Sequence, residues 1–185
     1  MDSMHWRNSP THYGLTSIVL HWLVAVAVFG LFALGFWMVG LNYYSSWYRT
    51  APDLHKSIGI LLLLVMLLRV LWRFVSPAPL ASQGRLTRTA ARLGHGLLYL
   101  GLFVVMVSGY LISTADGRAI SVFGLFEVPA LITSIPNQAD SAGLVHEYAA
   151  WALVIFAVVH ALAALKHHFI DRDATLMRML GRSTD

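Results

Sequence analysis

Cysteine is absent from the 185 residues. No disulfide, thiolate zinc site, iron–sulfur cluster or covalently attached c-type haem can form, because each needs sulfur. Charge is scarce as well. Charged residues make up 12% of the chain against 57% hydrophobic, whereas a soluble domain carries about 25% charged residues to cover its surface. Half that supply cannot wet a globule of this size. The same figures exclude a disordered chain, which needs low hydrophobicity and high charge. The solvent that suits this composition is lipid.

What charge there is stands in informative places. A net charge of +4 raises the question of nucleic acid, but the basic residues do not interleave in one patch. They stand at the ends of apolar runs, so no nucleic-acid partner is expected and the pattern reads as membrane topology. Four runs are long enough to cross about 30 Å of hydrocarbon: Ile18 to Leu41, Ser57 to Val75, Leu93 to Ile112 and Ala142 to Leu165. The first is too long for a signal-peptide core and no small-residue cleavage site follows it, so it is expected to be retained. Residues 42–56 and 76–92 are expected as loops, and residues 113–141 as one long loop whose apolar stretch Ile120 to Val128 lies at the membrane surface. After Phe169, charges alternate with Leu176, Met177, Met179 and Leu180, the pattern of a short interfacial helix. No repeat is visible, and residues 1–185 are expected to form one domain.

Lysine and arginine set the direction. Arg7, Arg73, Arg85, Arg88, Arg92, Lys166, Arg172, Arg178 and Arg182 fall on one side, with Arg69 just inside, and only Arg49, Lys56 and Arg118 on the other. The positive-inside rule puts both termini in the cytoplasm. The expected fold is therefore an all-α, integral membrane four-helix bundle, multi-pass in a bacterial inner membrane.

Nine histidines remain to be explained. A histidine within a bilayer is costly and is a functional hypothesis by default. With directions assigned, His21 and His160 lie one or two turns inside the cytoplasmic face, and His55 and His146 lie near the outer face. On the fourth span, His146 and His160 are 14 residues apart, about 21 Å of rise and within about 40° of a whole number of turns. One helix face thus presents an imidazole near each membrane surface. Two b-type haems, each held by one histidine from the fourth helix and one from a neighbour, need this arrangement. Fourteen residues after His21 comes Gly35, a small residue at the depth of the outer haem. Fourteen after His55 comes Arg69, a cation at the depth of the inner haem and a candidate partner for a propionate.

Other readings stand beside this one. A membrane histidine can simply hydrogen-bond between helices, and a metal or proton transporter can use imidazoles without haem. His95 has no depth-matched partner; interhelical packing, or contact with a propionate or a quinone, is expected rather than ligation. His167 and His168 read as solvated interface, and His5 and His12 as tail residues. Gly94, Gly96, Gly101 and Gly109 read as helix-packing positions, and Gly59 as space beside a porphyrin.

The segments His21-Trp22-Leu23, Asp53-Leu54-His55-Lys56-Ser57-Ile58-Gly59-Ile60, Leu93-Gly94-His95, His146-Glu147 and Val159-His160-Ala161 resemble the bacterial cytochrome b561 family. The likeness extends through Leu165-Lys166-His167-His168-Phe169 and covers nearly the whole chain in order. It implies a four-helix inner-membrane protein with two non-covalent b haems, ligated by His21 with His160 and by His55 with His146. It also implies electron transfer between an unidentified periplasmic donor and the membrane quinone pool, with ubiquinone the candidate acceptor. One branch of the family resembles a superoxide oxidase. Related haem subunits instead anchor hydrogenases or formate dehydrogenases, so a subunit of a larger complex is the alternative.

Overall fold

The structure is a computed structural model that describes residues 5–79 and 84–182. It is mostly helical. In chain order the elements are α1 (Leu15–Met38), α2 (Thr50–Val75), α3 (Arg85–Thr114), a hairpin of β1 (Ile120–Val122) and β2 (Phe126–Val128), α4 (Gln138–Phe169) and the short α5 (Thr175–Met179). Helices α1 to α4 are each long and apolar enough to cross a membrane. Their outward side chains agree: Phe36, Leu68, Leu71, Phe74 and Ile155 are exposed, which suits lipid tails and would burden a soluble fold.

The helices differ from the apolar runs at their ends. Helix α2 begins at Thr50, so His55 sits within a helix and not in a loop. Pro52 and Asp53 fall in its first turn, where a proline costs no hydrogen bond and a carboxylate meets the positive end of the helix dipole. Helix α3 reaches back to Arg85 and α4 runs four residues beyond its apolar core at either end. Hydropathy marks where lipid begins; it does not mark where the helix stops.

The chain packs as two compact units. One, here called the terminal unit, gathers the described residues up to Ala25, Val65–Leu98 and the chain from Ile155. Asn8 organises its N-terminal strap: its side-chain Nδ2 donates to the Ser76 and Pro77 carbonyls at 2.9 and 3.1 Å, and its Oδ1 accepts from Gly14 N at 2.8 Å. Gly14 is required there, since a Cβ would stand 2.4 Å from the Arg7 carbonyl carbon. At the far end of the chain, Asp171 accepts from Lys166 Nζ at 2.7 Å and from His167 Nδ1 at 2.6 Å, closing a clasp beyond the last turn of α4. Those hydrogen bonds, Lys166 first and then His167, hold the Asp171 carboxyl below its usual range. A depressed folded-state value means the clasp contributes above the ordinary aspartate value and is lost as pH falls through the depressed one. Limited proteolysis should therefore find the segment after Phe169 protected at neutral pH and cleaved faster below about pH 4; cleavage independent of pH would contradict the clasp.

The second unit, here the loop unit, comprises Val26–Leu64 and Tyr99–Val154. Its β-hairpin stands where only an apolar stretch of the long loop was expected, and the two-residue alternation explains the difference. Ile120 and Val122 point inward and pack with Ile60 in a core to which Tyr110 and Val128 add their partly buried side chains, while Ser121 is exposed. Leu125 N donates to Val122 O at 2.9 Å across a turn where Phe123 and Gly124 take φ of 51° and 71°. The tip leaves Phe123, Leu125 and Phe126 exposed. Ser57 Oγ donates to Ser121 O at 3.4 Å and accepts from Phe123 N at 3.1 Å, fastening the hairpin to α2. Tyr110 OH donates to Pro129 O at 2.7 Å and accepts from Leu131 N at 2.8 Å, pinning the chain that follows.

Candidate functional site

The histidines singled out by depth fall into two groups, one in each unit. In the loop unit, α2 presents His55 one and a half turns after its start and α4 presents His146. Their ring centroids lie 6.1 Å apart. His146 is keyed on one side: its Nδ1 faces the Val105 carbonyl at 2.9 Å and Ser108 Oγ at 3.3 Å. A ring donating its Nδ1 proton to a carbonyl keeps a lone pair on Nε2, the tautomer that metal-bound imidazoles adopt. His55 Nδ1 is buried without a hydrogen-bond partner.

Two glycines crowd these rings. A Cβ at Gly109 would stand 3.0 Å from His146 Cε1, and one at Gly35 would stand 3.2 Å from His55 Cε1. Gly35 was expected to be small at the depth of the outer haem, and here it is the His55 ring that it clears. Gly109 was expected as a helix-packing glycine, and it instead makes room for an imidazole. Gly101 is the packing position, its Cβ site lying 3.4 Å from Leu153, whereas Gly59, Gly94 and Gly96 have nothing within 4 Å. Around the two rings lies a cavity of about 1080 Å³, lined by Gly35, His55, Gly59, Met106, Gly109 and His146 among others. That exceeds a pocket for an ordinary small ligand.

In the terminal unit, His21 on α1 and His160 on α4 have ring centroids 6.3 Å apart. His95, from α3, stands 5.1 Å from His160, with its Nδ1 donating to Ala91 O at 2.7 Å. Arg69 donates through Nη2 to His21 Nδ1 at 3.0 Å, so the arginine does lie beside the histidines as its depth implied. Trp22 packs edge-on against His21 with centroids 5.3 Å apart. Sequence reasoning passed over Ser108, whose hydroxyl also donates to the Val104 carbonyl at 2.7 Å. A serine on an apolar helix carries no distinguishing signal until its neighbour is known.

Spacing decides what each pair can hold. An imidazole nitrogen bonds a first-row metal at about 2 Å and lies about 1 Å from its ring centre, so two axial imidazoles on one metal put their centroids about 6 Å apart. His21 with His160 and His55 with His146 meet that distance. His95 with His160 falls about 1 Å short of it. Among the described residues no cluster of three or more histidines and carboxylates has metal-binding geometry, so a metal here would take two protein ligands and find the rest elsewhere. A planar tetradentate ring would supply them.

Comparison with known proteins agrees with this chemistry. The family described as prokaryotic cytochrome b561 matches residues 12–182. "Cytochrome b561 homolog 2" of Escherichia coli strain K12 is 56% identical over 98% of this chain and 97% of its own. "Cytochrome b561 homolog 1" of the same organism is 29% identical over 92% of this chain and 97% of its own. A protein of Yersinia pestis named as a probable superoxide oxidase is also 29% identical, over 91% of this chain and 95% of its own.

Proposed function

The chain belongs to the prokaryotic cytochrome b561 family, a bacterial multi-pass inner-membrane haem protein of electron transfer, and on that premise we propose that it carries two b haems in series. His21 and His160 ligate one, and His55 and His146 the other. Both termini lie in the cytoplasm, on the strength of the arginines and lysines gathered in the terminal unit. Electrons pass between a donor on the loop side and the membrane quinone pool, with ubiquinone as the acceptor.

The observation that carries this reading is the separation of the two ring pairs, 6.1 and 6.3 Å. The cavity beside His55 and His146, the glycines that clear it and the unpartnered His55 Nδ1 fit a large planar group bound through imidazole. When bound, the iron supplies the one-electron chemistry. The residues do the rest. Val105 and Ser108 fix the His146 tautomer and ring angle, as outer-shell partners of metal ligands do. The mostly apolar lining suits a porphyrin, and His55 and His146 would hold the group from either side.

The donor is constrained by charge. Arg49, Lys56 and Arg118 are the cations of the loop unit against the carboxylates of Asp53, Asp116, Glu127, Asp140 and Glu147. Lys56 pairs with Asp53 at 2.8 Å and Arg118 pairs with Asp116, so the face does not focus an anion. Superoxide, the donor suggested by the name of the Yersinia pestis relative, would meet weak repulsion.

The test uses purified protein assayed by pyridine haemochrome and then mixed with a ubiquinone analogue. Two haems b per chain are expected, and chemically reduced protein should be reoxidised by the quinone. If superoxide then drives quinone reduction, the rate should rise with ionic strength as repulsion is screened. Protein without a Soret band, or reduced protein indifferent to quinone, would end this reading.

A further inference from the structure

A second cavity lies in the loop unit, apart from the one around His55 and His146. It is a groove of about 450 Å³ between α3 and α4, a size that suits a small molecule, and the two cavities have no lining residue in common. Val107, Ser108 and Leu111 share one stripe of α3, and Gln138, Ala142 and Val145 share one stripe of α4. Val107 and Val145 stand half exposed on membrane-spanning helices, so the groove opens toward lipid tails.

Its walls are apolar, and the polar groups are few. Ser141 stands exposed at the rim, while Gln138 and Ser108 are buried, 5% and 4% exposed. Gln138 is the first residue of α4. Its Nε2 donates to the Leu111 carbonyl at 2.9 Å and to the Ile132 carbonyl at 3.0 Å. Leu111 is among the last four residues of α3, whose carbonyls lack partners within the helix. Both amide protons are thus committed, which fixes the orientation of the amide. The remaining atom, Oε1, is buried and has no hydrogen-bond partner. A buried acceptor without a donor carries its full desolvation cost, and a donor brought by a ligand removes it. Deeper along α3, the Ser108 hydroxyl gives its proton to the Val104 and Val105 carbonyls and stands 3.3 Å from His146 Nδ1. One hydroxyl therefore separates the groove from the imidazole it helps to key.

We propose that this groove binds the ring of a membrane hydroquinone, with a phenolic O–H donating to Gln138 Oε1 and the tail leaving past Val107 and Val145 into lipid. For the choice of ligand the inference rests on the quinone reading given above. A lipid tail would fill the apolar walls and leave Oε1 unmet. A quinone brings only acceptors to that oxygen, so the reduced form is the one held. From Gln138 to Val145 the helix rises about 10 Å, room for a substituted six-membered ring and the start of its tail.

The experiment uses full-length protein in lipid nanodiscs without oxygen. It measures displaceable binding of a radiolabelled short-chain ubiquinol, with the quinone, the quinol dimethyl ether and phosphatidylethanolamine as competitors. Val145→Trp fills the groove from its rim and leaves Gln138 in place; it should remove one bound quinol per chain. Val107→Trp, from the facing helix, should do the same. The component so removed should take the quinone and the dimethyl ether about tenfold more weakly than the quinol, the scale of one hydrogen bond to a buried acceptor. Gln138→Leu should abolish that preference. Helix content and haem per chain equal to the wild type report that the variants are folded. Quinol binding unchanged in both tryptophan variants overturns the proposal, as does a preference that survives Gln138→Leu. So does a component that binds quinol and ether alike, or one displaced by phosphatidylethanolamine, which would give the groove to a lipid amine. Reduced protein that ignores quinone while the groove still prefers quinol to ether ends the electron-transfer reading and leaves this site standing. Reoxidation by quinone with no quinol lost in the tryptophan variants does the reverse.

Discussion

Alanine in place of His146 is expected to leave one haem per chain against the two proposed for the wild type. The imidazole is keyed at Nδ1 by Val105 O and Ser108 Oγ, its ring centroid 6.1 Å from that of His55. Its removal would take away a proposed haem ligand, while the Val105 carbonyl keeps the Ser108 hydroxyl at 3.0 Å and needs no new partner. His55→Ala should give the same count for the same reason. A double variant lacking both histidines should lose no more than either single one, because the two act on one group. Pyridine haemochrome with a reduced-minus-oxidised spectrum reads the outcome. A count of two in His146→Ala, or of zero in the double variant, would break the pairing.

A single isopropyl group is expected to do nearly as much damage as losing the ligand. Valine at Gly109 places a Cβ 3.0 Å from His146 Cε1 and 3.2 Å from its Nδ1. Those distances are below ordinary van der Waals contact, and the stiff χ1 of a β-branched side chain leaves few ways to move its methyls aside. The imidazole must tilt or leave, and it cannot tilt far while Val105 holds Nδ1. The helix gives no excuse for the loss, since glycine is the poorer helix former of the two. Gly109→Val should therefore drop the haem count toward one. Gly109→Ala should keep both haems and shift the spectrum and potential of one. Gly94→Val, where a Cβ meets nothing within 4 Å, should match wild type. Equal behaviour of the Gly109 and Gly94 variants would show that ring clearance is not what Gly109 provides.

Much of this was visible in the chain itself. Four apolar runs became four helices because hydrocarbon permits little else, and the depth of His21, His55, His146 and His160 followed from the same runs and the arginines at their ends. Periodicity gave Gly35 and Arg69 their places, fourteen residues from a histidine on the same helix. The misses share one physical origin. Apolar content says where lipid is and is silent on polar helical turns, so Thr50–Lys56 read as loop. It is silent also on pairings between distant segments, so the Ile120–Val128 hairpin was not foreseen. Gly109 looked like any packing glycine, for its partner lies 37 positions away on another helix.

The twofold bond of Ser57 has a mechanical corollary. One hydroxyl grips the hairpin at two backbone points and sits two residues from His55 on a continuous helix, so the outer surface of the hairpin and that imidazole are joined as a crank is joined to its handle. A push on the exposed tip is carried through Ser57 to the helix that bears His55, so strain at the hairpin and the setting of that ring are mechanically linked.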